Sequence, residues 1–171
     1  MKGEYDLVAY YIIQIIMNYE LIVKLVITVF AGFFTGGLLF VANVLTKIMS
    51  DYDEENFIKF MHLLYKRAGY SVYMILNASI PFFATIVFPI FFGLSDTMFF
   101  IGMVLCSLSQ VVSKITNVPL YNKINKMTTV DKNEVNSIRV SLRRANWLRA
   151  LIALIGFLVI MVSYYDSFNL V

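Results

Sequence analysis

"TMFFIGMVLCSLSQVVSKITNVPL", Thr97 to Leu120, is the stretch on which the fold turns. Its length suits a bilayer-crossing helix, which needs about 20 predominantly apolar residues. Polar residues nevertheless recur within it: Ser107, Gln110, Lys114 and Asn117 follow at steps of three and four, and Tyr121 continues the series. Residues so spaced share one helical face. Polar groups in hydrocarbon are costly and normally face a bundle interior or a wet cavity. The helix is therefore expected to turn this stripe toward other helices, with Lys114 either snorkelling to the headgroups or serving as a buried cation. Pro119 has no backbone donor and is expected to end or kink the helix, leaving carbonyls that Asn117 or Asn122 can serve.

Just before this stretch, "GLSD" (Gly93–Asp96) is a tight turn with an exposed Asp96, so Tyr70–Phe92 and Thr97–Leu120 form an antiparallel hairpin. Leu25–Leu45 and Leu148–Tyr165 are two further stretches long enough to span. Backbone groups in lipid must bond within the segment, which favours helices; the alternating ten-residue segments of a barrel are absent. Composition agrees, at 60% hydrophobic and 15% charged with a mean hydropathy of +0.75, against about 45–50% and 25% in soluble domains. The expected fold is all-α: one polytopic membrane domain over residues 1–171, built as a four-helix bundle.

Leu7–Met17 is apolar but too short to span alone. With Tyr10, Tyr11 and Tyr19 suited to the headgroup region, it is expected to form a short amphipathic interfacial helix; the alternative is an early extension of the first span. Glu4, Asp6 and the lack of a small-residue cleavage site argue against a signal peptide. In the connection after the first span, Phe57, Phe60, Met61 and Leu64 fall at helical spacing, giving an amphipathic helix on the membrane or on the bundle. The connection before the fourth span is polar and basic, with Asp131 or Asn133 placed to open a helix. These two connections hold most of the lysines and arginines, whereas the opposite side has only Lys2 and Lys24. The positive-inside rule then puts both long connections in the cytoplasm and both termini outside, in a bacterial inner membrane.

Other spans also carry polar and small residues. "AGFFTGG" spaces Gly32 and Gly36 for close approach of a neighbouring helix, read as packing within the chain rather than a dimer interface. Asn77 is read as interhelical glue, and Pro81 as a kink. In "RRANWLRA", Asn146 and Arg149 share a face. Arg149 either snorkels or holds an anionic or carbonyl oxygen in its planar fork. Asn43, Gln110, Lys114, Asn117, Asn122, Asn146 and Arg149 are together expected to form a ligand-binding polar pocket at the cytoplasmic end, roofed by His62 on the amphipathic helix. The alternative is a set of unrelated interface residues. The single Cys106 excludes an internal disulfide and a multi-cysteine metal site, and the single histidine removes histidine pairs. No metal or other cofactor is expected, and no basic face on a soluble domain suggests nucleic acid.

Four segments carry a family resemblance. "AGFFTGGLLFVANVLT" followed by "FIKFMHLLYKRA" resembles the opening of the anthrone oxygenase-like integral membrane proteins. "TNVPLYNKIN" is similar to that family's Asn-x-Pro-x-x-Asn signature closing the third helix, and "RRANWLRA" to its Asn-x-x-Arg near the start of the fourth. The resemblance covers about Leu25 to Tyr165 and carries over Asn117, Pro119, Asn122, Asn146 and Arg149. It implies a four-helix membrane bundle and, from characterised fungal members, oxidation of anthrones to anthraquinones without metal or flavin. This chain departs from the pattern in two places. Trp147 follows Asn146 directly instead of a tryptophan lying several residues earlier, and the N-terminal segment is additional.

Three functional readings stay open. In a cofactor-free oxygenase, an anthrone- or quinol-type substrate would lose a proton and its carbanion would meet oxygen. Arg149 and Lys114 would then stabilise the oxyanion, with His62 as proton acceptor; the catalytic candidates are His62 and Arg149. In a non-enzymatic membrane protein, the chain would bind a protein partner or a second copy of itself, as an assembly or toxin-immunity factor. Permeation of a small amphiphile is the third, and the lack of acidic intramembrane residues argues against coupled transport. The implied partners are the lipid bilayer, a small aromatic or quinone-like ligand, and a membrane protein.

Overall fold

In the computed structural model, the backbone is described for residues 2–68, 70–127 and 130–169, and side chains for 15, 19–68, 70–127 and 130–164. Among the described residues the only regular secondary structure is helix, joined by short turns, without strands. Helix α1 (Lys2–Phe40) passes through a π-helical turn (Val41–Leu45) into the short α2 (Thr46–Ser50). It is followed by α3 (Glu54–Ala68), α4 (Val72–Phe92), α5 (Thr97–Asn125) and α6 (Lys132–Asn169). Four segments are long and apolar enough to cross a membrane: Tyr19–Ser50, Val72–Phe92, Thr97–Asn125 and Lys132–Tyr164. The chain is an integral membrane protein with an all-α bundle.

Local chemistry places the helix ends. The Ser71 hydroxyl accepts the Met74 N–H at 3.4 Å to open α4, and Gly93, at φ 74°, closes it in a conformation that a side chain would oppose. The Asp96 carboxylate accepts the Phe99 N–H at 2.9 Å to open α5. Asp131 similarly accepts the Asn133 N–H at 2.9 Å ahead of α6.

Several expectations are corrected by this architecture. Residues 7–17 do not form a separate helix but continue into α1; the side chains of Tyr10 and Tyr11 lie outside the described residues, and Tyr19 is exposed. Pro119 does not end α5, which runs on to Asn125. A single proline is tolerated where neighbouring helices hold the segment, and here Ile124 beyond it is 1% exposed in a packed core. Asn77 is not interhelical glue, because its Nδ2 donates to the Tyr73 carbonyl of its own helix at 2.7 Å.

Helices α5 and α6 are longer than a bilayer requires. At 1.5 Å per residue the 38 residues of α6 reach roughly 57 Å, against a hydrocarbon core of about 30 Å. Their extensions carry α3, which packs on the bundle. Phe57, Ile58 and Met61 bury against Ile124, Val135, Ile138 and Leu142, with Phe60 and Leu64 at the margin. Full burial of each such side chain out of water stabilises by about 1.5–3 kcal/mol. A second core, of Ile27, Ala31, Phe88, Phe99, Met103, Cys106 and Ile160, fills the end near the Gly93–Asp96 turn.

Helices α5 and α6 approach closely where Gly102 faces Gly156. A Cβ on Gly156 would stand 2.8 Å from the Gly102 carbonyl oxygen and 2.9 Å from the Cys106 nitrogen. Of the glycines singled out in the sequence, a Cβ on Gly32 would meet the Phe157 ring at 3.2 Å, whereas one on Gly36 would enter open space. Only the first packs within the chain.

Candidate functional site

The antiparallel register of α5 and α6 decides which polar groups meet. From the turn outward, Ser163 hydrogen-bonds Asp96, Gly102 faces Gly156, and Cys106 Sγ lies 3.8 Å from the Ala153 carbonyl. Farther along, Arg149 Nη1 donates to Ser113 Oγ at 2.8 Å, and Asn117 Nδ2 donates to Asn146 Oδ1 at 2.7 Å. Because Asn146 and Arg149 lie three residues apart and Asn117 and Ser113 four, the two pairs form successive rungs one turn apart.

The asparagine rung is closed. Asn117 and Asn146 are 0% and 1% exposed, and the remaining Asn117 oxygen accepts from Thr116 Oγ1 at 2.8 Å. The arginine rung is open. Arg149 is 9% exposed, and its Nε is buried with no acceptor. Among the described residues no carboxylate lies within ion-pairing distance of Arg149 or Lys114. Taking a cation out of water costs several kcal/mol unless a partner compensates it, so Arg149 is an unbalanced charge.

Arg149 borders a crevice of roughly 330 Å³ between α1, α4, α5, α6 and the end of α3 at Ala68. Its polar side consists of Ser109, Gln110, Ser113, Lys114 and Arg149, and its apolar side includes Phe34, Leu38 and Ala78. Ser109 is fully buried and its hydroxyl has no partner. Gln110 ties α5 to α4 by donating to the Ala78 carbonyl at 2.6 Å, while Lys114 is exposed at the rim. The structure thus brings Gln110, Lys114 and Arg149 together.

The other residues expected at the pocket stand elsewhere. Asn117 and Asn146 lie beside the crevice but engage each other. Asn43 is exposed on the π-helical turn, and Asn122 is exposed on the α5 extension. His62 is exposed too, its Nε2 3.3 Å from the Ile124 carbonyl. That carbonyl is seven residues along α5 from Asn117, about 10 Å at 1.5 Å per residue, so His62 does not roof the crevice. Ser109 and Ser113 were not singled out in the sequence, although they continue from Asn117 at four-residue steps.

Two other polar clusters serve the architecture. Near the turn, the Lys24 ammonium sits between Glu20 at 2.8 Å and Asp96 at 3.0 Å. It lies over the Phe99 ring at 5.6 Å, and Ser163 donates to Asp96 at 2.7 Å. Asp96 is therefore not the exposed turn residue expected; its side chain is 16% accessible. Burial works to raise its carboxyl pKa, but the Phe99 N–H, the Ser163 hydroxyl and the Lys24 ammonium outweigh it and hold the group below its ordinary value. At the opposite end, Arg139 Nη2 donates to the Tyr52 and Asp53 carbonyls at 2.7 and 3.0 Å and stacks 4.6 Å above Phe57. This clamp fixes the start of α3 against α6. No group of three or more histidine, cysteine, aspartate and glutamate side chains among the described residues is arranged to hold a metal ion.

Compared with known proteins, the chain matches no family model, no curated sequence and no solved structure.

Proposed function

We propose that this membrane protein binds a small molecule in the crevice beside Arg149, with an oxygen of the ligand on the guanidinium. The observation that carries this reading is a nine-tenths-buried arginine with an orphaned Nε on a crevice wall. Buried polar groups are ordinarily satisfied, and exceptions call for an unseen partner or a functional role. At roughly 330 Å³ the crevice falls at the small end of ligand sites. By the positive-inside rule the α3 side faces the cytoplasm of a bacterium and the Gly93–Asp96 turn faces outward.

The test is native mass spectrometry on protein extracted in a gentle detergent. A small-molecule adduct on the wild type that is lost in Arg149→Met is expected; ligand-free wild type after extraction from several hosts contradicts the reading. Oxygenase chemistry is the less supported alternative. It needs a proton acceptor at the crevice, and His62 stands at Ile124 instead.

A further inference from the structure

Resting on that reading, we infer that the ligand is a single-chain amphiphile with an anionic head, a carboxylate or phosphate monoester, which enters the crevice sideways from the lipid. Three observations converge on this chemistry.

The first is charge. The crevice presents two cationic side chains, Arg149 inside and Lys114 at the rim, with no carboxylate paired to either among the described residues. It also presents two buried polar atoms without partners, Arg149 Nε and Ser109 Oγ. Both groups can donate to oxygen, and an oxyanion accepts from a guanidinium in charge-assisted bonds. A neutral ligand would leave the buried cation uncompensated.

The second is shape. Phe34 and Leu38 form a buried apolar wall, while Met74 and Ile75 on α4 line the same crevice and are 38% and 49% exposed. On a spanning helix those exposed apolar residues face lipid, so the mouth opens on the membrane. Roughly 330 Å³ holds a head and the first methylenes, and the rest of a chain would lie against Met74 and Ile75.

The third is depth. Met74 and Ile75 fall in the first turn of α4, which begins at Val72. The crevice therefore lies at the end of a span, where an amphiphile carries its own head. A water-soluble anion would leave the exposed apolar Met74 and Ile75 of the crevice wall unused.

The test uses the full chain in nanodiscs of phosphatidylcholine and displacement of a dansyl-labelled undecanoate. Palmitate and hexadecyl phosphate should displace the probe, with acetate, inorganic phosphate and hexadecanol at least about tenfold weaker, equivalent to about 1.4 kcal/mol. Arg149→Gln should weaken probe binding about tenfold or more, and Lys114→Gln less. The head-group series on wild-type protein does not depend on whether the arginine variant folds. Equal displacement by hexadecanol would overturn the anionic head, and equal displacement by inorganic phosphate would overturn the amphiphile. If a short-chain neutral quinone binds and palmitate does not, the ligand class is wrong while the small-molecule reading stands. If the probe does not bind and native spectra show no adduct, both are wrong.

Discussion

The Asn117 amide donates to Asn146 Oδ1 at 2.7 Å between two helices, and neither residue is accessible. Without this contact the Asn117 Nδ2 donor and the Asn146 Oδ1 acceptor would lose each other as partners. Replacing one by leucine leaves a buried polar group, at a cost of about 1–3 kcal/mol. Interhelical hydrogen bonds in membranes average only about 0.6 kcal/mol in double-mutant cycles, with a maximum near 1.7. The double variant Asn117→Leu/Asn146→Leu should therefore lose less than the sum of the single variants. Unfolding titrations in mixed micelles measure this coupling, and strict additivity would mean that the contact contributes nothing.

The Gly102–Gly156 crossing predicts an asymmetry among the glycines. In Gly156→Ala, the new methyl group meets backbone atoms at 2.8 and 2.9 Å, and overpacking of this kind costs about 1–3 kcal/mol. Gly36→Ala enters open space and should be neutral or slightly stabilising, since alanine is the better helix former. Thermal unfolding of the two variants side by side checks the register of α5 on α6.

The all-α fold was legible because hydrophobic runs and turn residues are local signals, and "GLSD" marks its hairpin without any knowledge of neighbours. Of the polar stripe on α5, Ser107, Gln110 and Asn117 turn inward as the period implies, while Lys114 is exposed. The asparagine pair was legible only as a shared set, because periodicity gives a face and not a partner. Asn43 and Asn122 were grouped with the site by depth alone, yet their helices turn them outward. Gly102 and Gly156 lack the four-residue spacing that drew attention to Gly32 and Gly36, since they approach across two helices rather than along one. The Lys24–Asp96 pair joins residues separated by 72 positions, beyond the reach of any local pattern. The helical α5 extension past Pro119 depends on tertiary contacts to Ile124, which outweigh the local preference of proline.

The turn latch gives a pH prediction. The folded-state pKa of Asp96 lies below the ordinary 3.8, so the unfolded chain takes up this proton first. The contribution of the carboxylate is complete above the unfolded value, about pH 4, and is lost as pH falls through the folded value below it. The stability difference between wild type and Asp96→Asn should stay level from neutral pH to about pH 4 and shrink in stronger acid. Unfolding midpoints across that range measure it, and a difference already shrinking at pH 6 would contradict the latch.

Arg139 is predicted to hold α3 in place. Arg139→Met removes two solvent-exposed hydrogen bonds from one nitrogen to the Tyr52 and Asp53 carbonyls, together worth about 1 kcal/mol. Hydrogen exchange should accelerate at residues 52–61 while the spans stay protected. Unchanged exchange there would show that the apolar face of α3 suffices alone.

The central claim is that Arg149 is a buried cation kept for a ligand rather than for the fold. Wild type stripped of its adduct by prolonged detergent exchange and Arg149→Met should therefore be compared for thermal unfolding in the same detergent, with native mass spectra taken before and after stripping. Methionine is close in length and carries no charge, so it removes the desolvation cost of a buried cation that has no ion-pair partner among the described residues. The account predicts that ligand-free Arg149→Met melts at or above the temperature of the ligand-free wild type and carries no adduct. A variant that melts well below a wild type carrying no adduct itself would make Arg149 a structural residue and contradict the account.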